Sequence, residues 1–321
     1  MNIKKYIFAI ALIVIAISAC KKDDDVEATI VPPRDRAEQQ VTDHALIEEY
    51  LKTHFYTLED VDVNGDGTIE YQITKFDTIA GDNIGQQPIM DSELLTSKKI
   101  TREDVEYTLF ILGLKDGVGE HKPTFADSTL ITFRGELFYG DDKLFDSAVN
   151  PSWFDLGGGV IDGFRQSMLD FKGAAPNPII NPDGSVTYSG FGELVVFIPS
   201  GLAYFADARE GVPSYSSLIF NIQLYDVNEC DHDRDGIPSY LEDLDGDELV
   251  LDTGDDTDSD TVPNYVDTDD DGDGTQTKDE ITVNDLNGDG FITLDEITFY
   301  DDDGDGIKNH LDPDDIDSKN E

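Results

Sequence analysis

Residues 145–164 read F-D-S-A-V-N-P-S-W-F-D-L-G-G-G-V-I-D-G-F. Aromatic and branched aliphatic residues crowd this stretch, three consecutive glycines (Gly157 to Gly159) interrupt it, and two acids, Asp146 and Asp155, sit beside aromatics. A plain surface loop does not hold so much apolar area, because burying each such side chain is worth roughly 1.5–3 kcal/mol. The stretch contains no His, no Cys and no glycine-flanked serine elbow, so it lacks the groups for hydrolysis or redox chemistry. It predicts the wall of an apolar pocket that carries one acid.

Working outward, V-I-D-G-F-R-Q-S-M-L-D-F-K at 160–172 places Ile161, Phe164, Met168 and Phe171 at steps of three and four. That spacing predicts an amphipathic helix, with Gly173 as its stop. Upstream, 105–114 is strand-like and 128–137 alternates before the turn G-D-D-K at 140–143. Downstream, 174–190 holds two turn signals around short β runs and reads as an inserted hairpin. The 193–205 segment follows, and 212–227 alternates through Leu218, Phe220, Ile222 and Leu224. One short helix among antiparallel strands is an α+β pattern, not a parallel nucleotide-binding sheet. Nearer the N-terminus, Ala45, Leu46, Tyr50 and Leu51 predict a helix over 38–54. D-V-N-G-D-G-T-I-E at 62–70 opens like a calcium loop, but Ile73 stands at its twelfth position. A hairpin turn is the preferred reading there. Residues 68–100 suggest short strands and loops.

Six segments then occur in order: I-T-F-R-G at 131–135, F-D-S at 145–147, F-D-L-G at 154–157, V-I-D-G-F at 160–164, I-P-S-G-L-A-Y at 198–204 and V-P-S-Y-S-S-L-I-F at 212–220. Together they resemble the FKBP-type (macrolide-binding) peptidyl-prolyl cis-trans isomerases across residues 122–227. The resemblance implies an antiparallel half-barrel wrapped on one short helix. Val160, Ile161 and Phe164 would form the pocket floor, and Phe133, Phe145, Tyr204 and Phe220 its walls. Val212 would lie on a flap and Asp146 at the rim, orienting the pocket by hydrogen bonding. The Tyr204 hydroxyl and the Ile161 N–H would hold the peptide. An X-Pro amide turns slowly over a barrier of about 18–20 kcal/mol, and a dry apolar wall favours the twisted amide over the planar, polar one. The chain departs from the family at several points. Phe164 replaces the floor tryptophan, and Phe133 replaces a tyrosine, so Asp146 has no hydroxyl partner there. A wall phenylalanine falls at Ser152, where Trp153 is expected to fill the gap. One residue is missing before Val160, and the 174–190 hairpin is extra.

The last third is a repeat array. Residues 229–321 hold 34 acids against 4 bases, within a chain of formal net charge −48. Such a surface repels phosphates and excludes a nucleic-acid partner. Asp231, Asp233, Asp235, Gly236, Ser239 and Glu242 fit the D-x-[DN]-x-[DN]-G-x5-E loop, as do Asp269, Asp271, Asp273, Gly274, Thr277 and Glu280. Asp285, Asn287, Asp289, Gly290, Thr293 and Glu296 fit it again, and Asp301, Asp303, Asp305, Gly306, Asn309 and Asp312 give a copy ending in Asp. Asp256, Asp258, Asp260, Asn264 and Asp267 make a degenerate copy with Thr261 in place of glycine. Alternate carboxylates in a tight loop point at one hard cation, and the terminal acid completes the six to eight oxygens that Ca²⁺ takes at about 2.3–2.6 Å. The loops of the 256–301 run start 13–16 residues apart, too close for paired helix–loop–helix units. They resemble thrombospondin type 3 repeats, which implies structural calcium, almost no apolar core and poor order without the ion.

The N-terminus carries M-N-I-K-K, then an uncharged apolar run from Tyr6 to Ala19, too short to span a bilayer. It ends I-S-A-C, which resembles a bacterial lipobox with Cys20 as the acylated residue. The K-K-D-D-D that follows resembles the export signal of some Bacteroidetes surface lipoproteins. With Cys20 acylated, Cys230 has no partner, and no structural disulfide is expected. The expected organisation is a signal over 1–19, a tether over 20–34, a helical and mixed region over 35–100, the isomerase domain over 101–227 and the calcium-binding region over 228–321. The expected activity is prolyl isomerisation of exported polypeptide clients, with no cofactor for catalysis, from a lipid anchor in the cell envelope. The alternative is a surface binding or adhesion protein that uses the same pocket and repeats without catalysis.

Overall fold

The computed structural model describes residues 32–318 apart from 63, 64, 66, 68, 70, 141, 142, 183 and 317. The predicted signal and Cys20 lie outside them. The chain divides into two units, Met1–Arg34 and Asp35–Glu321, and everything below concerns the second. Among the described residues, no helix is long and apolar enough to cross a membrane.

The centre is a six-stranded sheet, antiparallel at every pairing. Its strands are β3 (Leu95–Arg102), β4 (Val105–Asp116), β5 (Ser128–Leu137), β6 (Leu144–Asp155), β9 (Gly192–Ile198) and β10 (Leu218–Asn228), in the order β3-β4-β9-β10-β5-β6. Between β6 and β9 come helix α2 (Asp162–Met168) and the small β7–β8 hairpin (Ile179–Ile180, Val186–Thr187). Ahead of the sheet stand α1 (Arg36–Thr53) and the β1–β2 hairpin (His54–Val61, Tyr71–Thr78).

β9 shows why the sheet is thick. Its G-E-L-V-V-F-I is buried at every residue, the signature of a strand covered on both faces. Leu194, Val196 and Ile198 join Phe133, Phe164, Met168 and Phe220 in the core on the α2 side. Val195 and Phe197 point the other way, into a second core with Ile47, Tyr50 and Leu51 of α1. α1 starts at the Asp35 cap, whose carboxylate accepts the Glu38 N–H at 2.9 Å. It is then tied inward by Asp43, which is 2% exposed. That carboxylate accepts the N–H and hydroxyl of Ser200 at 2.8 and 2.6 Å, and the Gln39 amide at 2.7 Å. Residues 35–100 therefore supply a covering helix and an edge strand to the same sheet, and the predicted boundary at residue 100 falls inside β3.

One expected element is shorter than predicted, and two further local features lay outside the sequence reading. The predicted 160–172 helix is only Asp162–Met168, because the chain turns at Leu169 so that the Lys172 N–H reaches the Asp116 carbonyl at 2.7 Å. β3 and β4 meet at Glu103 and Asp104, with φ of 48° and 61°. Two left-handed residues make the tight hairpin that Asn-Gly usually signals, here written with two acids. β6 carries Pro151 in the register break between Ala148 and Ser152, which an edge strand tolerates.

The acidic segment packs on this body as six loops of one backbone design. Counting from the first acid of each, positions four and six are left-handed every time. The pairs are Arg234 and Gly236, Gly246 and Glu248, Ser259 and Thr261, Gly272 and Gly274, Gly288 and Gly290, Gly304 and Gly306. Short strands β11 (Ile281–Val283) and β12 (Ile297–Phe299) pair between loops. Ile237, Ile281 and Ile297 bury one another there, a small apolar core where almost none was expected. At 62–70, between β1 and β2, Asp62 accepts the N–H groups of Gly65 (2.6 Å) and Gly67 (2.8 Å).

Candidate functional site

One cavity of about 520 Å³ opens on the α2 side of the sheet. All eight residues singled out for a pocket line it: Phe133, Phe145, Asp146, Val160, Ile161, Phe164, Tyr204 and Phe220. Phe220 on β10 is the hub. Its ring meets Phe164 at 5.0 Å and Phe145 at 5.5 Å, both edge to face, and Phe133 at 5.9 Å. Two glycines allow the rings to close. A Cβ at Gly135 would stand 2.7 Å from the Phe145 ring and 2.9 Å from Phe220. At Gly163 it would stand 2.4 Å from Ile198 Cγ2, so α2 can lie on β9 only without a side chain there.

Val160 and Ile161 lead into α2, with Ile161 as its N-cap. The Ile161 carbonyl accepts the N–H groups of Phe164 (3.0 Å) and Arg165 (3.2 Å), while its own N–H precedes the helical ladder. Asp146 is exposed at the rim and accepts the Ser147 N–H at 2.8 Å. Tyr204 lies under Arg209, whose guanidinium carbon is 5.5 Å from the ring. Two expectations need correction. Trp153 does not fill the place of the missing wall residue: it is 51% exposed, because β6 alternates and turns Phe154 inward instead. Phe154 meets Phe133 edge to face at 5.6 Å. Val212 is not on the cavity surface; it is 2% exposed in the core, behind the turn it makes with Arg209.

Sequence reading missed Arg36, Phe205 and Arg209 at this cavity. Arg36 comes from the first turn of α1. It lies 4.3 Å over the Phe205 ring, donates to the Gly201 carbonyl at 3.3 Å and pairs with Glu103 at 2.7 Å. No local pattern marks a residue delivered from 165 positions away in the chain.

The acidic loops hold carboxylates that the fold leaves unsatisfied. Asp233, Asp235 and Glu242 of the first loop meet Asp270 of the fourth, with one oxygen of each within 4.8 Å of the others. Glu242 is 2% exposed, and neither of its oxygens has a hydrogen-bond partner among the described residues; the same holds for Asp270. Burial, together with neighbouring acids, pushes Glu242 up to about 11, Asp270 to about 9, Asp233 to about 8 and Asp235 to about 7. Asp270 was not among the predicted ligands. Asp231 was, and its carboxylate accepts the N–H groups of Arg234 and Gly236, as that of Asp243 accepts those of Gly246 and Glu248. Asp269, Asp271 and Asp273 converge as the spacing implies, with Glu280 buried nearby and raised to about 8. Asp256, Asp258 and Asp260 also converge.

In the 285–296 loop, Asp285 accepts the N–H groups of Gly288 and Gly290, Asn287 that of Asp289, and Asp289 that of Phe291. Glu296 is held by the N–H groups of Leu286 and Thr293. In the last loop Asp301, Asp303 and Asp305 each accept a backbone N–H, and Asp312 is buried. Buried oxygens with no donor are what a hard cation satisfies, so the first and fourth loops fit Ca²⁺ by their own chemistry.

A family model described as BamM C-terminal matches residues 232–285, four of the six loops. No curated protein matches the chain. Among solved structures the chain is similar to a peptidyl-prolyl cis-trans isomerase of Pseudomonas syringae pv. tomato. That likeness is at 24% identity over 41% of this chain and 81% of that one, with a TM-score of 0.30. It is also similar to FkpA of Escherichia coli, at 25% identity over 43% of this chain and 53% of that one, with a TM-score of 0.32.

Proposed function

We propose that this protein is a prolyl cis-trans isomerase of exported polypeptides, anchored by a lipid on Cys20 and carrying a calcium-binding acidic segment. The observation that carries the reading is the ring of Phe133, Phe145, Phe164 and Phe220 on one cavity, which Arg36, Asp146, Asp207 and Arg209 also line. An X-Pro segment seated there leaves water. The twisted amide, which has lost its charge-separated resonance, loses less on desolvation than the planar one and is relatively favoured. The Tyr204 hydroxyl and the Ile161 N–H are the donors placed to hold flanking carbonyls, and Asp146 shapes the rim. A protease-coupled assay with a fluorogenic proline peptide tests this. Wild type is expected to accelerate isomerisation, and a rate no faster than that of an Asp146→Ala, Phe220→Ala double variant would sink the enzymatic reading.

One feature favours a second reading, capture of proline-bearing ligands without turnover. Phe133 stands on the strand facing Asp146 and offers it no hydroxyl, so the acid is left on a backbone N–H. Tight peptide binding with no rate enhancement selects that outcome. Calcium in the loops is supported by the donorless Glu242 and Asp270, and titration calorimetry should count several ions per chain. Labelling of intact cells with an impermeant reagent separates a surface location from an inward-facing one.

A further inference from the structure

We propose that residues 243–255 form an additional calcium site, with Asp243, Asp245 and Asp255 as carboxylate ligands, and that this site fastens the acidic segment to the floor and lip of the apolar pocket. The sequence D-L-D-G-D-E-L-V-L-D-T-G-D escapes the loop motif twice: Glu248 stands where glycine is required, and Gly254 where the terminal acid is. The backbone ignores both departures. Gly246 and Glu248 are left-handed, with φ of 78° and 66°, as in the five motif-bearing loops. Asp243 accepts the N–H groups of Gly246 and Glu248, both at 2.9 Å.

The case for a ligand rests on Asp255, one place beyond the expected twelfth position. It is fully buried. One oxygen accepts the Leu244 N–H at 2.6 Å, and the other has no hydrogen-bond partner among the described residues. A carboxylate oxygen of each of Asp243, Asp245 and Asp255 falls within 4.8 Å of the others, and Asp245 also converges with Asp247 and Asp252. The segment contains no Lys, Arg or His. Arg102, whose charge reaches Asp247, is engaged by Asp162 at 2.9 Å. Asp243 and Asp245 converge on Asp255, whose buried oxygen has no donor, and an all-oxygen donor set of this kind suits a hard divalent cation.

The same loop packs beside the pocket. Glu248 accepts a hydrogen bond from the side-chain amide of Gln166 in α2, and the Gln166 carbonyl oxygen in turn accepts from Lys98 of β3 at 2.6 Å. A Cβ on Gly158, which lines the cavity, would lie 3.4 Å from Leu251. Val250, fully buried, packs with Ala126 and Tyr265. Leu251, Val250 and Glu248 all lie between the ligands of one site, so filling the site holds Leu251 against Gly158 and Glu248 against α2.

This inference rests on the reading of the segment as a calcium array, not on isomerase activity. The test is calcium titration of the full chain, with amide exchange followed over 157–168. In wild type, calcium is expected to slow exchange there by about tenfold. Asp255→Asn should lose one bound ion and that slowing. Asp243→Asn, at the other end of the loop, should do the same and guards against a folding defect at either position. Glu248→Ala should keep the full ion count yet lose the slowing, and Asp271→Asn in the fourth loop should lose its own ion but keep it. An Asp255→Asn chain that binds as many ions as wild type overturns this site and leaves the array standing. A wild type that binds none overturns both, and exchange over 157–168 that ignores calcium overturns the fastening.

Discussion

Phe220 and Glu242 are about equally buried, 5% and 2% exposed, in surroundings that have nothing in common. Phe220 is held by rings and aliphatic chains brought together by a sheet with both faces covered, and it asks for no counter-charge. Glu242 is held in a loop whose backbone is bent by its own aspartates, and it meets three further acids instead of donors. The first kind of burial supplies its own stability through apolar area. The second is unfavourable until something positive enters. The contrast gives the two halves different sensitivities: apolar burial answers to denaturant, and buried carboxylates answer to proton activity.

If the loops hold calcium as proposed, stripping it is the harshest way to break that contrast. Chelation should unfold the 229–316 loops, seen as rapid proteolysis there, while amides of β4, β9 and β10 stay protected. Each lost site forfeits about 2.7 kcal/mol if the ion had been present at a hundred times its dissociation constant. On the apolar side, Gly163→Ala forces a methyl against Ile198 and should cost about 1–3 kcal/mol in denaturant unfolding with the ion count intact. Asp43→Ala leaves the Ser200 N–H and hydroxyl without their buried acceptor and should cost about 1–3 kcal/mol, with loosened exchange over 199–205.

Acid and base sharpen the comparison further. Glu242, Asp270 and Asp233 are raised well above their ordinary carboxylate values. The ion-free loops are therefore most stable below the unfolded-state values near 4, and they lose stability as pH climbs through about 7, 8 and 9. Ion-free loops should melt higher at pH 5 than at pH 9. Calcium uptake at pH 7 should release protons, read as a binding heat that changes with the ionisation enthalpy of the buffer. The smallest effect expected is that of Asp35→Ala, about 1 kcal/mol from a lost cap on α1, with the loops untouched.

How much of this was legible in the chain follows the same division. β4, β5 and β10 were readable because buried strands carry dense or alternating apolar residues, and the eight pocket residues fall on one cavity. β3, L-T-S-K-K-I-T-R, was not, because an edge strand facing solvent has little apolar pattern to read. Its turn was hidden for another reason: Glu103 and Asp104 pay for left-handed backbone that glycine would adopt freely. Trp153 misled because composition shows an aromatic but not which side of β6 it takes. Asp270 and the 243–255 loop were missed because motif spacing describes one loop at a time, whereas these acids meet through packing between loops or one residue out of register.

The placement of Arg36 has a mechanical consequence. It lies two residues beyond the segment that ends at Arg34, and it grips Gly201, Phe205 and Glu103. A pull transmitted along the chain from its N-terminal side enters the folded body at that residue. The first bonds loaded are those to the lip of the cavity, and the next are those of Asp43 to Ser200 one helix turn or two further on. Tension applied at the start of α1 would thus be felt at the mouth of the pocket before it reached the sheet, as a hand on a drawstring is felt at the neck of the bag.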